Sequence, residues 1–219
     1  AIITQPSPFG KNDTFIRKSI KTFRIFGLKF FIFYSIKYIL RKIILRKDLS
    51  NVFLKYNIPI IKLSSNINSN SNVDKIKKLN ADLILIIAGN QIIKKKILNS
   101  TKYGVFNVHS SLLPNYKGLM PTFWVLKNNE SVTGVTLYKL TEGIDNGPII
   151  SQKKINIEKN IPQSKLIKKL KILANDLILN SINLIKDKKN FKYVSGGSYF
   201  KFPNKNDVIE FKKMNKKFF

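Results

Sequence analysis

Asn107 and His109 stand two residues apart in the run Val105-Phe106-Asn107-Val108-His109, just before Ser110-Ser111-Leu112-Leu113-Pro114. The apolar run reads as a strand, and side chains at i and i+2 of a strand share a face. An amide and an imidazole together at a strand end, above a loop bounded by proline, can hold a carbonyl oxygen as it takes on negative charge. The imidazole can also move a proton near neutral pH. The plainer alternative is that a lone histidine at a strand end caps the loop. A third group lies in Thr141-Glu142-Gly143-Ile144-Asp145-Asn146-Gly147-Pro148. Asp-Asn-Gly is ordinary turn chemistry. In the functional reading, Asp145 orients the imidazole and carries protons through a water.

These three side chains need a scaffold. Ala1 to Thr4 reads as a strand already under way, with no signal-peptide pattern, and Gln5 to Gly10 as a turn. Phe15 to Leu54 is rich in Phe, Ile, Leu and Tyr but is interrupted by basic residues, Lys29, Lys37, Arg41, Lys42, Arg46 and Lys47 among them. A membrane-spanning helix needs about 20 apolar residues, so this segment predicts one or two buried helices with lysines at the rim. Ile58 to Leu63 reads as a second strand, Ser64 to Ser71 as a loop and Val73 to Leu79 as a helix. The unbroken apolar run Ala81 to Gly89 predicts a parallel strand covered on both faces. The strand at Val105 to His109 follows, then a helix from Pro121 to about Lys127. Two more strands lie at Gly134 to Leu140 and Pro148 to Ile157. A long helix over Pro162 to Lys188 carries an apolar stripe that includes Leu166, Leu170, Leu177 and Ile185. Alternating strands and helices make an α/β, doubly wound, mostly parallel sheet, with ligands outside the carboxyl ends of its strands. The expected division is a catalytic domain over 1–190 and a short C-terminal tail, not a full second domain, over 191–219.

Composition narrows the chemistry. The 219 residues contain no cysteine and one histidine. A disulfide framework, a zinc ribbon and any two-histidine metal site are therefore excluded, and no metal is expected. The absence of cysteine suits a reducing compartment, and the expected location is cytoplasmic. Forty Lys and Arg against 12 Asp and Glu give a formal charge of +28. Polyanions are plausible partners for such a chain. The lysines are spread from Lys11 to Lys217 rather than clustered, which favours solvated surface over a nucleic-acid footprint.

Several segments together resemble the folate-dependent formyltransferases, a family that includes glycinamide ribonucleotide formyltransferase, the catalytic domain of methionyl-tRNA formyltransferase and the sugar N-formyltransferases. They are Asn107 to Pro114, Lys117-Gly118, Thr133-Gly134-Val135-Thr136 and Ile144 to Ile150, with Asp145 lying 145 − 109 = 36 residues after His109. The resemblance is good over Ala81 to about Ile157 and weaker on either side. It implies a Rossmann-like formyltransferase fold with an antiparallel extension after the Asn-x-His strand. It also implies transfer of a formyl group from 10-formyltetrahydrofolate to a primary amine. Asn107 and His109 would hold the developing oxyanion, and Asp145 would fix His109 and help pass the amine proton onward. Ser111, Leu112, Leu113 and Pro114 would line the folate site. Gly89, Gln91, Ile92 and Ile93, with the turn from Leu140 to Ile144, would pocket the pterin ring.

The acceptor is less constrained. Gln5 to Gly10 stands where glycinamide ribonucleotide formyltransferases carry a glycine-rich phosphate loop, which argues against a ribonucleotide held in the usual way. The chain is also short for the barrel-like domain that methionyl-tRNA formyltransferases append. Lys117-Gly118-Leu119-Met120-Pro121 is nearer to the tRNA and sugar enzymes. The expected acceptor is a small-molecule amine such as an amino sugar. Methionyl-tRNA is the alternative, with the charge serving its phosphates. A third reading, from a different class, is a non-catalytic module that binds a polyanion or a membrane surface through Leu28 to Lys47.

Overall fold

The computed structural model describes residues 2–3, 14–40, 49–64, 66–87, 89, 91–187 and 191–219. The chain divides into two compact units, Ala1–Asn72 and Val73–Phe219.

In the first unit, strand β1 (Ile2–Ile3) pairs in parallel with β2 (Ile61–Lys62), so the strand expected at Ile58 to Leu63 is shorter than its apolar run. Between them lie helices α1 (Phe15–Phe26), α2 (Leu28–Ile39) and α3 (Leu49–Lys55). Thr14 starts α1, its hydroxyl accepting from the Arg17 N–H at 3.2 Å. Gly27, with φ 85°, ends α1 and starts α2; its N–H donates to the Phe23 carbonyl. The expected buried helices are only partly so. Phe26 is buried and stacks on Phe30, which meets Tyr34 in turn. Phe30, Phe31 and Phe33 are half-buried, and α2 has no fully buried residue. Ile16, Ile20, Leu28, Ile32 and Ile36 are exposed. Gln5 to Gly10, Ala88, Asn90 and the basic residues Arg41, Lys42, Arg46 and Lys47 lie outside the described residues.

The second unit is built on a sheet of four strands in the order β3 (Leu83–Ile87), β4 (Gly104–His109), β6 (Val132–Lys139), β7 (Ile149–Asn156). β3 and β4 are parallel; β4–β6 and β6–β7 are antiparallel. This is the α/β sheet with an antiparallel extension after the Asn-x-His strand. Helix α4 (Asn70–Lys78) precedes β3, and α5 (Lys95–Leu98) lies between β3 and β4. The long helix α7 (Gln163–Lys186) packs on β6 and β7 through the stripe seen in the sequence, with Leu166, Leu170, Leu177 and Ile185 buried. Val105, Phe106, Leu137 and Tyr138 complete the core from the strands.

The segment expected as a tail is part of this unit. Strand β5 (Lys117–Gly118) pairs in parallel with β8 (Tyr199–Phe200). Helix α8 (Lys205–Lys213) opens with a capping box in which Asn204 and Asp207 satisfy each other's backbone N–H groups. Its Phe211, with Phe218, stacks on Phe123 of α6 (Pro121–Lys127).

Candidate active site

The antiparallel register assembles the site. Asn107 on β4 lies opposite Tyr138 on β6, and His109 lies opposite Thr136. Directly opposed side chains on one face are close enough to interact. The Asn107 amide donates from Nδ2 to the Tyr138 hydroxyl at 2.9 Å. That hydroxyl donates to Asp145 Oδ1 at 2.5 Å. Burial pushes the Tyr138 phenol up from its ordinary pKa, and the neighbouring Asp145 charge adds to the shift. The phenol is therefore the donor to the carboxylate.

Asp145 sits in a turn with φ 49°, a conformation that aspartate tolerates better than most residues. Its Oδ2 accepts the Gly118 backbone N–H at 2.7 Å and lies 3.7 Å from His109 Nδ1. His109 is buried, and its Nε2 lies 2.7 Å from the Tyr116 carbonyl oxygen. A carbonyl only accepts, so Nε2 carries the proton of that bond. Both ring nitrogens thus have partners, one a backbone carbonyl and the other a carboxylate. For His109 to serve as an oxyanion donor beside Asn107, Nε2 would have to leave Tyr116. The nitrogen facing Asp145 is the one free to take up a proton.

Thr136 seats the loop after β4. Its hydroxyl donates to the Ser111 carbonyl at 2.7 Å and accepts the Leu113 N–H at 3.0 Å and Gln152 Nε2 at 2.9 Å. Gln152 also donates to the Leu113 carbonyl at 2.8 Å. Ser111 is fully buried, its hydroxyl on the Asn115 carbonyl, and Leu113 packs with Tyr138 and Ile149 in the core. Ser111 and Leu113 therefore anchor the loop, while Leu112 and Pro114 keep partly open surface. Gly134 is required here because a Cβ would collide with the Lys153 carbonyl and with Leu112.

Support continues from the C-terminal segment. Tyr116 N–H donates to the Ser198 hydroxyl at 2.9 Å, Lys117 N–H to the Ser198 carbonyl at 2.8 Å, and Leu119 N–H to the Phe200 carbonyl at 2.9 Å. The Tyr116 ring stacks on Phe200, which stacks on Trp124. Tyr116 holds His109 and Gly118 holds Asp145, so β8 braces both partners of the site. Gly118 has φ 94° and lies against the Phe200 carbonyl, leaving no room for a side chain.

Asn107, His109 and Asp145 are therefore brought together as their spacing suggested. The other expected residues are less gathered. An open cavity of about 410 Å³ is lined by Leu140, Thr141 and Glu142 with Lys102, Gly104 and Lys139. It takes in Leu140 but not Gly89, Gln91, Ile92, Ile93 or Ile144. Ile92 and Ile144 are exposed and Ile93 is buried. Tyr138, Gln152 and the Tyr116 carbonyl were not singled out from the sequence, and Thr136 stood out only as the end of the segment Thr133 to Thr136. The cross-strand register that exposes them needs the positions of both strands.

A sequence profile described as formyl transferase matches residues 39–182. The chain belongs to the formyl transferase family. It is 40% identical over 115 residues to the methionyl-tRNA formyltransferase of Clostridioides difficile, covering 52% of this chain and 37% of that protein. It is 43% identical over 127 residues to the bifunctional polymyxin resistance protein ArnA of Wigglesworthia glossinidia brevipalpis, covering 58% and 19%. The chain thus spans well under half the length of these curated relatives. Among solved structures, it resembles the N-formyltransferase from Helicobacter canadensis in complex with folinic acid and dTDP-3-aminofucose. That match has a TM-score of 0.58 and 27% identity, and covers 71% of this chain and 54% of that one. It also resembles the formyltransferase PseJ from Anoxybacillus kamchatkensis, solved with a UDP-linked formamido sugar and tetrahydrofolate. There the TM-score is 0.57 at 25% identity, with 70% and 80% covered. The segment matched by the family profile, residues 39–182, carries Asn107, His109 and Asp145.

Proposed function

We propose that this protein is an N-formyltransferase that moves a formyl group from 10-formyltetrahydrofolate to a primary amine of a small molecule, with an amino sugar as the favoured acceptor. The observation that carries the reading is the state of Asn107. Its Oδ1 is buried without a partner, and Nδ2 spends only one of its two N–H groups, on Tyr138. A buried polar group left open in this way fits a bound reactant better than a purely structural role. The residues also fit a folate donor: an amide for its formyl oxygen, the partly open loop residues Leu112 and Pro114, and the exposed Ile144 turn as apolar surface.

The bound donor supplies an activated formyl carbon. Asn107 donates its remaining N–H to the formyl oxygen as charge develops there, from a position preset by Tyr138. Asp145, kept in place by Gly118 and Tyr138, faces His109 Nδ1. The pair takes the proton released as the amine nitrogen bonds to the formyl carbon, with the positive imidazole stabilised by the carboxylate, and passes it to the folate nitrogen as the bond between that nitrogen and the formyl carbon breaks and tetrahydrofolate leaves. The Tyr116 carbonyl keeps the ring in the orientation that points Nδ1 at Asp145.

The amino-sugar acceptor is supported by the solved relatives that hold nucleotide-linked sugars. A second reading, methionyl-tRNA, is supported by curated relatives at 35–40% identity and by the +28 charge. The test is release of tetrahydrofolate from 10-formyltetrahydrofolate in the presence of a panel of amines. The panel includes nucleotide-linked amino sugars and charged initiator tRNA. Acceleration by an amino sugar alone supports the first reading. Acceleration by the tRNA alone overturns it for the second, and donor binding without release in any mixture overturns both in favour of a binding module. We further propose a cytoplasmic location and peripheral contact with a membrane surface through Leu28 to Lys47. Among the described residues no helix is long and apolar enough to cross a membrane.

A further inference from the structure

Tyr138 was not among the residues singled out from the sequence, and its ring is wholly buried. The ring packs with Leu113 and Ile149, and the hydroxyl is its one polar atom. That hydroxyl lies between two members of the site, 2.9 Å from Asn107 Nδ2 and 2.5 Å from Asp145 Oδ1. We propose that Tyr138 is a positioning residue whose hydroxyl couples the Asn107 amide to the Asp145 carboxylate and fixes which face of the amide meets the reactant.

An ionised carboxylate only accepts, so the single phenolic hydrogen points at Asp145. The phenol oxygen is left as an acceptor and can be met only by the N–H side of Asn107. An asparagine amide has two orientations of nearly equal shape, with oxygen and nitrogen exchanged. The Tyr138 oxygen removes that ambiguity, because the flipped amide would set two acceptors against each other. The free N–H and the unpartnered Oδ1 then have fixed positions. In this way the charge on Asp145 determines, through one hydroxyl, the orientation of a group on the neighbouring strand. A phenylalanine would fill the same core volume yet release the amide and take one donor from Asp145. Shape alone would not require the hydroxyl.

The role rests on the N-formyltransferase reading for its kinetic consequence, but the coupling itself is observable without turnover. The experiment uses the full chain and Tyr138→Phe, with thermal melting to establish that the variant folds. The first readout is the Asn107 side-chain amide in nitrogen–proton correlation spectra. Asp145→Ala should shift this resonance in the parent background and shift it much less in the Tyr138→Phe background. Equal shifts in both backgrounds would overturn the coupling, whether or not the protein is an enzyme. The second readout is steady-state transfer with the acceptor identified from the panel. Losing a hydrogen bond to a charged group should lower kcat roughly 10- to 100-fold, with KM for the folate donor within about threefold. Combined with Asn107→Ala, the Tyr138→Phe change should cost less than it does alone. An unchanged kcat in Tyr138→Phe, or strict additivity with Asn107→Ala, would overturn the positioning role. Absence of transfer in the parent would instead refute the N-formyltransferase reading and leave the spectroscopic outcome to decide the coupling.

Discussion

The two compact units are held in order by different physics. In Ala1–Asn72 the best-organised polar feature is one fully buried side chain, Asn72. It accepts the Ser64 N–H at 3.1 Å and donates to the Ser64 carbonyl, the Ser64 hydroxyl and the Asn66 carbonyl at 3.2, 2.8 and 2.7 Å. Much of the apolar content of α1 and α2 stays exposed. In Val73–Phe219 order comes from packing, with Phe106, Phe123, Leu137, Tyr138, Leu166, Leu170 and Phe211 all essentially inaccessible. The lysine-rich composition is common to both, so composition did not set the difference. Strand length did: β6 and β7 run eight residues each and face the 24-residue α7, whereas among the described residues β1 and β2 pair over two. Asn107, His109 and Asp145 lie in the packed unit, as positioning to fractions of an ångström requires.

The largest effect that would break this comparison is in the aromatic stack. Phe211→Ala removes a wholly buried ring between Phe123 and Phe218 and should destabilise the second unit by about 3–5 kcal/mol. Chemical denaturation followed by Trp124 fluorescence reads this directly, and a change under about 1 kcal/mol would refute the packing account. Asn72→Ala should cost about 1–3 kcal/mol, because it removes the four hydrogen bonds that this fully buried side chain makes to Ser64 and Asn66. Hydrogen exchange should show the loss around residues 64–72, while protection of β4 and β6 is unchanged. Loss of protection in those strands would mean that the units are not independently ordered.

The smallest effect concerns alkaline pH. Burial, and then the hydrogen bond to Glu130, push the Tyr116 phenol up to about 12. A phenol with a folded pKa above its unfolded value contributes stability that is complete below about pH 10 and lost as pH rises toward 12. The melting temperature of the parent should therefore fall more steeply between pH 10 and 12 than that of Tyr116→Phe. Parallel curves would remove Tyr116 from the account.

Much of the second unit was legible in the sequence because its signals are long. The unbroken run into Ile87, the strand ending at His109 and the stripe of α7 are extended apolar patterns, and Pro121 marks where α6 starts. The C-terminal segment was less legible. Its basic residues masked a helix whose start, Asn204 with Asp207 three residues on, is a recognisable capping box. The first unit was read as buried helices from its phenylalanines, yet apolar content fixes no partner, and several of those helices' large side chains are exposed. In the site, spacing along one strand placed Asn107 with His109, whereas the turn alone left Asp145 ambiguous and its assignment came from the resemblance to the folate-dependent formyltransferases. Tyr138, Thr136 and Gln152 depend on register between strands, which has no local signature.

Asn107 is expected to act on charge that develops during transfer and not on the resting donor. Asn107→Ala, compared with the parent for transfer from 10-formyltetrahydrofolate and for donor binding by calorimetry, tests it most directly. Transfer should fall about 100-fold or more, as loss of one oxyanion donor does, while donor affinity stays within roughly tenfold. Loss of donor binding in proportion to the loss of rate, or no change in rate, would contradict the claim.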